Sequence, residues 1–404
     1  MLTILRKLIT SAVILSTVPA LSLTTAVYGA TAPVVTVLKP VTENVSSPLR
    51  LVFDGQGNYY VTDPRRGGVS TFNSSGQLTG VLKTPAPPQG IALNDRGNLL
   101  VSQGDSVIIL DQSGTEVGRL GSGAGQFGKA DGIAIDAAGY VYVVDTLDSK
   151  VKVFTAAGQF VQAIGSQGTG LGQFSQPTGI AYEKSANQIA VADTQNGRVQ
   201  FFDASGNHDF VKSIGSFGIK PLEFKSPVGI TFDYDAAGGL NRMYVVDTYQ
   251  NAVQVIDPSG AGGFLATIGS DGLANGQLMI PLDVAFDRFN RRLAVVNGYG
   301  YLTMYGIDGT VNAGNGGASL LGLDPVPARV AKPYVTIGGT VGSRARVVVT
   351  TNTTAVAASV VYTSATTWKC SVSGLVAGNN VLTVIATDST GNVAKHAVSV
   401  TYAP

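Results

Sequence analysis

One phrase of residues returns along this chain at intervals of 40 to 54 positions. Its clearest copy runs Asp131-Gly132-Ile133-Ala134-Ile135-Asp136, then Gly139-Tyr140-Val141-Tyr142-Val143-Val144-Asp145-Thr146, then Lys150-Val151-Lys152-Val153-Phe154 and Gly158-Gln159-Phe160-Val161. A repeat of this length constrains the fold more than any single motif. One unit cannot bury its own apolar face and must stack on its neighbours. The opening dipeptide aligns at Pro48-Leu49, Pro88-Gln89, Ala130-Asp131, Pro177-Thr178, Pro227-Val228 and Pro281-Leu282. The residue closing the second run follows at Asp63, Gln103, Asp145, Asp193, Asp247 and Asn297, which makes six units.

Within each unit, short β-branched or aromatic runs alternate with turn signals such as Ala137-Ala138-Gly139 and Ala156-Ala157-Gly158. Such runs read as strands, four to a unit. No stretch sustains a helical period. The predicted fold is therefore all-β: a six-bladed β-propeller with four-stranded antiparallel blades. The sixth unit lacks a clear fourth strand, while Val34-Val35-Thr36-Val37-Leu38 stands unassigned ahead of the first. That N-terminal strand is expected to close the last blade.

The pattern resembles the NHL-repeat family. The resemblance rests on Gly-Ile-Ala, on runs ending Val-Val-Asp-Thr or Val-Ala-Asp-Thr, on Arg198-Val199-Gln200-Phe201-Phe202, and on the connector from Gly165 to Phe174. It departs at Gln103 and Asn297, where the family-like Asp is missing. It implies a scaffold for recognition, whose members bind proteins, nucleic acids or small molecules and a few of whose relatives are enzymes.

Arg6 and Lys7 precede an apolar run from Leu8 to Val27, with small residues near Gly29-Ala30. Residues 1–30 read as a Sec-type signal peptide, or as a retained anchor, giving a secreted, periplasmic or cell-surface protein. No later stretch is apolar enough to span a bilayer. Without residues 1–30 the balance is 25 basic against 26 acidic, a net charge of −1. With no basic block, nucleic acid is not an expected partner. The single cysteine, Cys370, allows no intramolecular disulfide and reads as a buried strand residue beside Trp368.

Four parts follow: the signal peptide 1–30, the propeller 31–308, a Gly-rich linker 309–328 and a second β unit 329–404. The second unit carries alternating runs such as Tyr334-Val335-Thr336-Ile337 and Val381-Leu382-Thr383-Val384-Ile385-Ala386. About seven such strands predict a sandwich. With Trp368, Val372-Ser373-Gly374-Leu375 and Ala386-Thr387-Asp388-Ser389-Thr390-Gly391-Asn392, it resembles bacterial Ig-like modules. Such modules space or attach a neighbour. Asp388 and Asn392 suit a hairpin turn better than a calcium site.

Four antiparallel strands per blade place the inter-blade connectors and the turns between second and third strands on one face. Asp63, Asp145, Asp193 and Asp247 lie there, and are expected to accept the N–H groups of the turns they start. Deviations from the repeat say more. Gly occupies positions 90, 132, 179 and 229, whereas the aligned positions hold Arg50 and Asp283. These two read either as a salt bridge across the closing seam or as ligand contacts. Gln89 and Asp131 face the same channel mouth, and the neighbouring turns carry Tyr249, Asn251, Tyr299 and Tyr301. Aromatics near amides suit a peptide or a sugar ring, or ordinary solvated loops with tyrosines packed at their base.

No catalytic residues, metal ligands or cofactor are expected. Only His208 and His396 exist, too few for a multi-histidine zinc site or a confident Ser-His-Asp set. The expected function is non-catalytic recognition of a protein, peptide or cell-surface glycan on the channel face. The alternative is a metal-dependent lyase or lactone hydrolase of the six-bladed type, built on Asp131 and Asp283.

Overall fold

The computed structural model describes residues 30–121, 123–235, 238–260, 262–308, 321–324, 326–341, 345–364, 366–387 and 393–404. The expected signal peptide, apart from Ala30, and the turn bearing Asp388 and Asn392 lie outside them.

Six four-stranded antiparallel sheets follow one another. The third blade is typical, with strands Ala130–Ile135, Val141–Asp145, Lys150–Phe154 and Phe160–Ile164. The first strand of each blade lies innermost. Blades one to five each show a register shift next to the end of the third strand, as at Thr71/Phe72, Val153/Phe154 and Val255/Ile256. A bulge increases local twist, which suits an outermost strand that must splay from its neighbour's.

The sixth blade borrows its outer strand. Val35–Val37 pairs antiparallel with Tyr301–Ile307, Val35 opposite Ile307 and Val37 opposite Tyr305. Six apolar clusters fill the six spaces between blades. The one at the seam joins Leu51, Tyr59, Val61 and Phe72 of the first blade to Ala294, Val296, Leu302 and Met304 of the sixth. The ring is thus closed by apolar burial, which supplies most of its stability, as well as by strand pairing.

Ionic groups fasten the seam too. Arg292, buried in the sixth blade, pairs with Asp287 at 2.7 Å and donates to Ser74 O and Gly57 O of the first. Arg242 of the fifth blade bonds Asp308 at 2.5 Å and Thr31 O at 2.6 Å, while Arg291 holds Asp233 and Asp308. Asp308 in turn exchanges backbone and side-chain bonds with Val34. The entering and leaving ends of the propeller chain meet in this one network.

Residues 321–404 build two further sheets, one with Arg346–Thr351, Gly378–Thr387 and Val393–Tyr402, the other centred on Tyr334–Thr340 and Thr367–Ser373. They share one core of Val335, Ile337, Trp368 and Cys370 with Val347, Leu382, Val384 and Val400, so they form a sandwich. Gly322 and Asp324 bond Thr340 and Gly338. The sandwich therefore begins inside the segment expected as linker, because those residues find backbone partners on a strand edge.

Candidate functional site

The repeated Asp residues do more than start turns. Asp145 accepts from Gly128 N (2.8 Å) and Lys129 N (3.0 Å), in the connector arriving from the previous blade, and from Asp148 N in its own turn. Asp63 holds Ser46 and Ser47 in the same way, Asp193 holds Ser175, and Asp247 holds Lys225 and Ser226. All four are fully buried. Gln103 and Asn297, where the Asp is missing, keep one such bond each, to Ala86 N and Met279 N. A third-strand residue completes the clasp: Gln200 and Gln254 donate to Gln173 O and Glu223 O at 2.7 Å, Thr303 to Gln277 O, and Lys152 to Gln126 O. The Thr of the repeat also has a task, as Thr194 and Thr248 donate to Pro227 O and Pro281 O of the next blade. Phe127, Phe174, Phe224 and Leu278 anchor the connector ends in the core. The connectors are consequently rigid supports.

The repeat glycines form the tightest ring of the hub. A Cβ at Gly132 would lie 2.5 Å from Thr178 O, and at Gly179 2.2 Å from Val228 O. Only a residue without a side chain allows adjacent innermost strands that approach. At the seam, Asp283 replaces this contact by accepting Leu51 N at 3.0 Å.

Arg50 uses the remaining space by crossing the channel. Its guanidinium bonds Asp131 of the third blade at 3.0 Å, Val228 O of the fifth at 2.8 Å, and Leu282 O of the sixth at 2.8 Å. Asp283 is its weaker partner, at 3.5 Å. Arg50 thus bridges four blades, where a pair across the seam was one of the two expectations. Burial opposes its charge, but Asp131 and Asp283 outweigh burial and hold its pKa above the usual value. Burial likewise raises Asp283, to about 6, against the lowering effects of Arg50 and of the N–H groups of Leu51 and Val284. Asp131, Asp283 and Arg50 are therefore one another's partners at the connector-face mouth.

Beneath this plug lies a cavity of about 320 Å³. Six aliphatic residues, one per blade, ring it: Leu51, Ile91, Ile133, Ile180, Ile230 and Val284. The next ring is mostly small, with Ala92, Ala134, Ala181 and Ala285 beside Val52 and Thr231. Tyr182 and Arg288 line its far end, at the face carrying the hairpin turns.

The other sequence-selected residues are dispersed. Tyr249 and Tyr299 stand out from the connector face, 73% and 63% exposed. Tyr301 is half-buried, its hydroxyl enclosed and without a hydrogen-bond partner among the described residues. Asn251 ties its turn to the connector leading to the sixth blade, donating to Asp271 (2.7 Å) and accepting from Ile280 N (2.8 Å). Gln89 works through its main chain, to Ser102 O and Thr62 Oγ1. Sequence reasoning missed the larger feature of this face. Leu147, Leu171, Phe217, Ile219 and Leu273 join Tyr249 and Tyr299 as exposed apolar residues on the connectors and turns of blades three to six. The aligned turn position tells part of this, reading Arg65, Asp105, Leu147, Gln195, Tyr249 and Tyr299 around the ring.

Fold and hub together define the class: the chain is a six-bladed β-propeller followed by a β-sandwich. The profile of a family described as a 6-bladed beta-propeller, DUF5128, matches residues 127–215. Solved structures of similar fold include an auxiliary nutrient binding protein from Bacteroides ovatus, with 12% identity and TM-score 0.51, covering 68% of this chain and 76% of that one. A Bacteroides thetaiotaomicron protein of unknown function aligns over the same shares, with 15% identity and TM-score 0.51. Virginiamycin B lyase from Staphylococcus aureus aligns with 15% identity and TM-score 0.47, over 68% of this chain and 99% of that one. No curated protein matches the chain.

Proposed function

We propose that this is a secreted, non-catalytic recognition protein that binds its partner on the connector face of an NHL-type propeller, with an Ig-like sandwich as spacer or attachment. The exposed apolar rim from Leu147 round to Tyr299 carries the reading. Exposed apolar side chains gathered on one face of a rigid support suit an interaction surface. The rim favours a peptide or protein over a glycan, because Leu147, Leu171, Ile219 and Leu273 offer nothing to sugar hydroxyls. A propeller of similar fold described as nutrient-binding is in keeping with a binding role. A lyase or lactone hydrolase would need Asp131 and Asp283 as metal ligands, but Arg50 holds both and its charge opposes a cation there.

The test compares the full chain with a Phe217→Ser, Tyr249→Ser, Tyr299→Ser variant on immobilised apolar peptides and on a glycan array. Selective peptide binding that falls at least about tenfold in the variant supports the reading. Binding equal in both proteins, or confined to glycans, overturns it. Calcium or magnesium binding that disappears in Asp283→Ala would favour the lyase alternative.

A further inference from the structure

The channel below Arg50 has the architecture of a second site, on the face opposite the rim. The six aliphatic side chains are buried between the blades and only edge the channel, while Val52, Ala181, Thr231 and Ala285 of the next ring are partly exposed in it. Its volume, about 320 Å³, falls at the lower end of the range for small-molecule pockets. At its open end stand Tyr182 of blade four and Arg288 of blade six, and Arg288 rests on Tyr234, a buried residue of blade five. The guanidinium of Arg288 and the ammonium of Lys184 each lie 4.4 Å from the centre of the Tyr234 ring. Two like charges are thereby held at one aromatic ring.

Neither cation has an ion pair among the described residues. The buried carboxylate of Glu183 accepts from Ser185 N, Ser185 Oγ and Ala186 N of its own turn. Asp235 accepts from Gly239 N. Burial and the Arg288 charge hold the Lys184 ammonium below the usual lysine range, against the attraction of Glu183 and Asp235. The opposite end is shut, with Arg50 already engaged by two carboxylates and two carbonyls. The channel therefore accepts an apolar body from one side only, with a negative group left at the entrance.

We propose that the channel binds a small amphiphilic anion, a single aliphatic chain with a carboxylate or similar head, its chain along the channel edged by Leu51, Ile91, Ile133, Ile180, Ile230 and Val284 and its head at Arg288. This site is independent of the rim.

Calorimetric titration of the full chain with decanoate tests it, with decanol and acetate as probes lacking one half of the chemistry. Arg288→Gln removes a head contact at an exposed position, and Ala181→Leu fills the channel; circular dichroism establishes that both are folded. The expected result is one saturable site for decanoate, weakened at least about tenfold in Arg288→Gln and lost in Ala181→Leu. Decanol should bind weakly and acetate not at all. No saturable decanoate binding, equal binding by folded Ala181→Leu, or equal affinity for decanol and decanoate overturns the proposal.

Discussion

Arg50 and Asp131 meet at 3.0 Å although they open the first and third blades, two places apart on the ring. The contact runs across the hub, so the side chain that breaks the glycine pattern also closes the channel at one face. Its removal has a defined effect. Arg50→Met would leave Asp131 and Asp283 facing each other without their cation. Losing one partner of a buried pair costs about 3–5 kcal/mol. Denaturant unfolding should show a loss of this size, and the double variant with Asp283→Asn should recover part of it. Equal stability of Arg50→Met and the parent would show that the pair contributes nothing.

Asp283 should make stability depend on pH in an unusual direction. Its folded pKa is raised, to about 6, so its contribution is fully present below the unfolded carboxylate value. It is lost as pH rises through about 6. A shift of this size corresponds to about 2–3 kcal/mol. The difference in unfolding free energy between parent and Asp283→Asn, followed from pH 4 to 7, isolates this group from the other carboxylates. That difference should move against the parent as pH rises, and a flat difference would contradict the assignment.

The clasps make a graded prediction. Asp247→Ala would strip partners from the N–H groups of Lys225, Ser226, Tyr249 and Gln250. Each buried unsatisfied donor costs about 1–3 kcal/mol. Asp247→Asn keeps an acceptor, as Asn297 does for Met279 N, and should cost clearly less. Thermal melts of the two variants give the comparison.

Closure can be tested at the ends of the ring. Deleting residues 31–40 removes the strand paired with Tyr301–Ile307 and should lower the melting temperature sharply. Asp308→Ala, which only cuts the bonds to Arg242, Arg291 and Val34, should lower it less. An unchanged melt in the deletion would refute strand closure as a source of cooperativity.

The C-terminal sandwich reports on itself. The only tryptophan, Trp368, and the only cysteine, Cys370, both lie in its core. Burial raises the thiol pKa, so Cys370 should resist thiol reagents until the sandwich opens. Tryptophan fluorescence and thiol reactivity should then follow one transition, and Arg50→Met should move the circular dichroism of the propeller without moving that transition.

The fold was readable because its determinants repeat. The Gly-Ile-Ala phrase records the close approach of innermost strands at Gly132 and Gly179 together with the aliphatic ring below. The unassigned segment at Val34–Leu38 disclosed its place by what the sixth unit lacked. The anomalies at positions 50 and 283 were visible too, and marked the hub. What Arg50 contacts was not visible, because a long side chain reaches two blades away, a distance in space that alignment of repeats does not express. The fasteners Arg242 and Arg292 were hidden for the same reason. The rim escaped notice because Leu171, Phe217 and Leu273 do not share a column of the repeat, and only the folded connectors bring them to one surface.

The clasps grip main-chain N–H groups and ask little of side-chain identity in the segments they hold. Connector tips such as 169–171 and 219–221 are thus open to substitution while the frame stays put. Chains of this kind can carry quite different tips on one unaltered frame of six wedges and a hub.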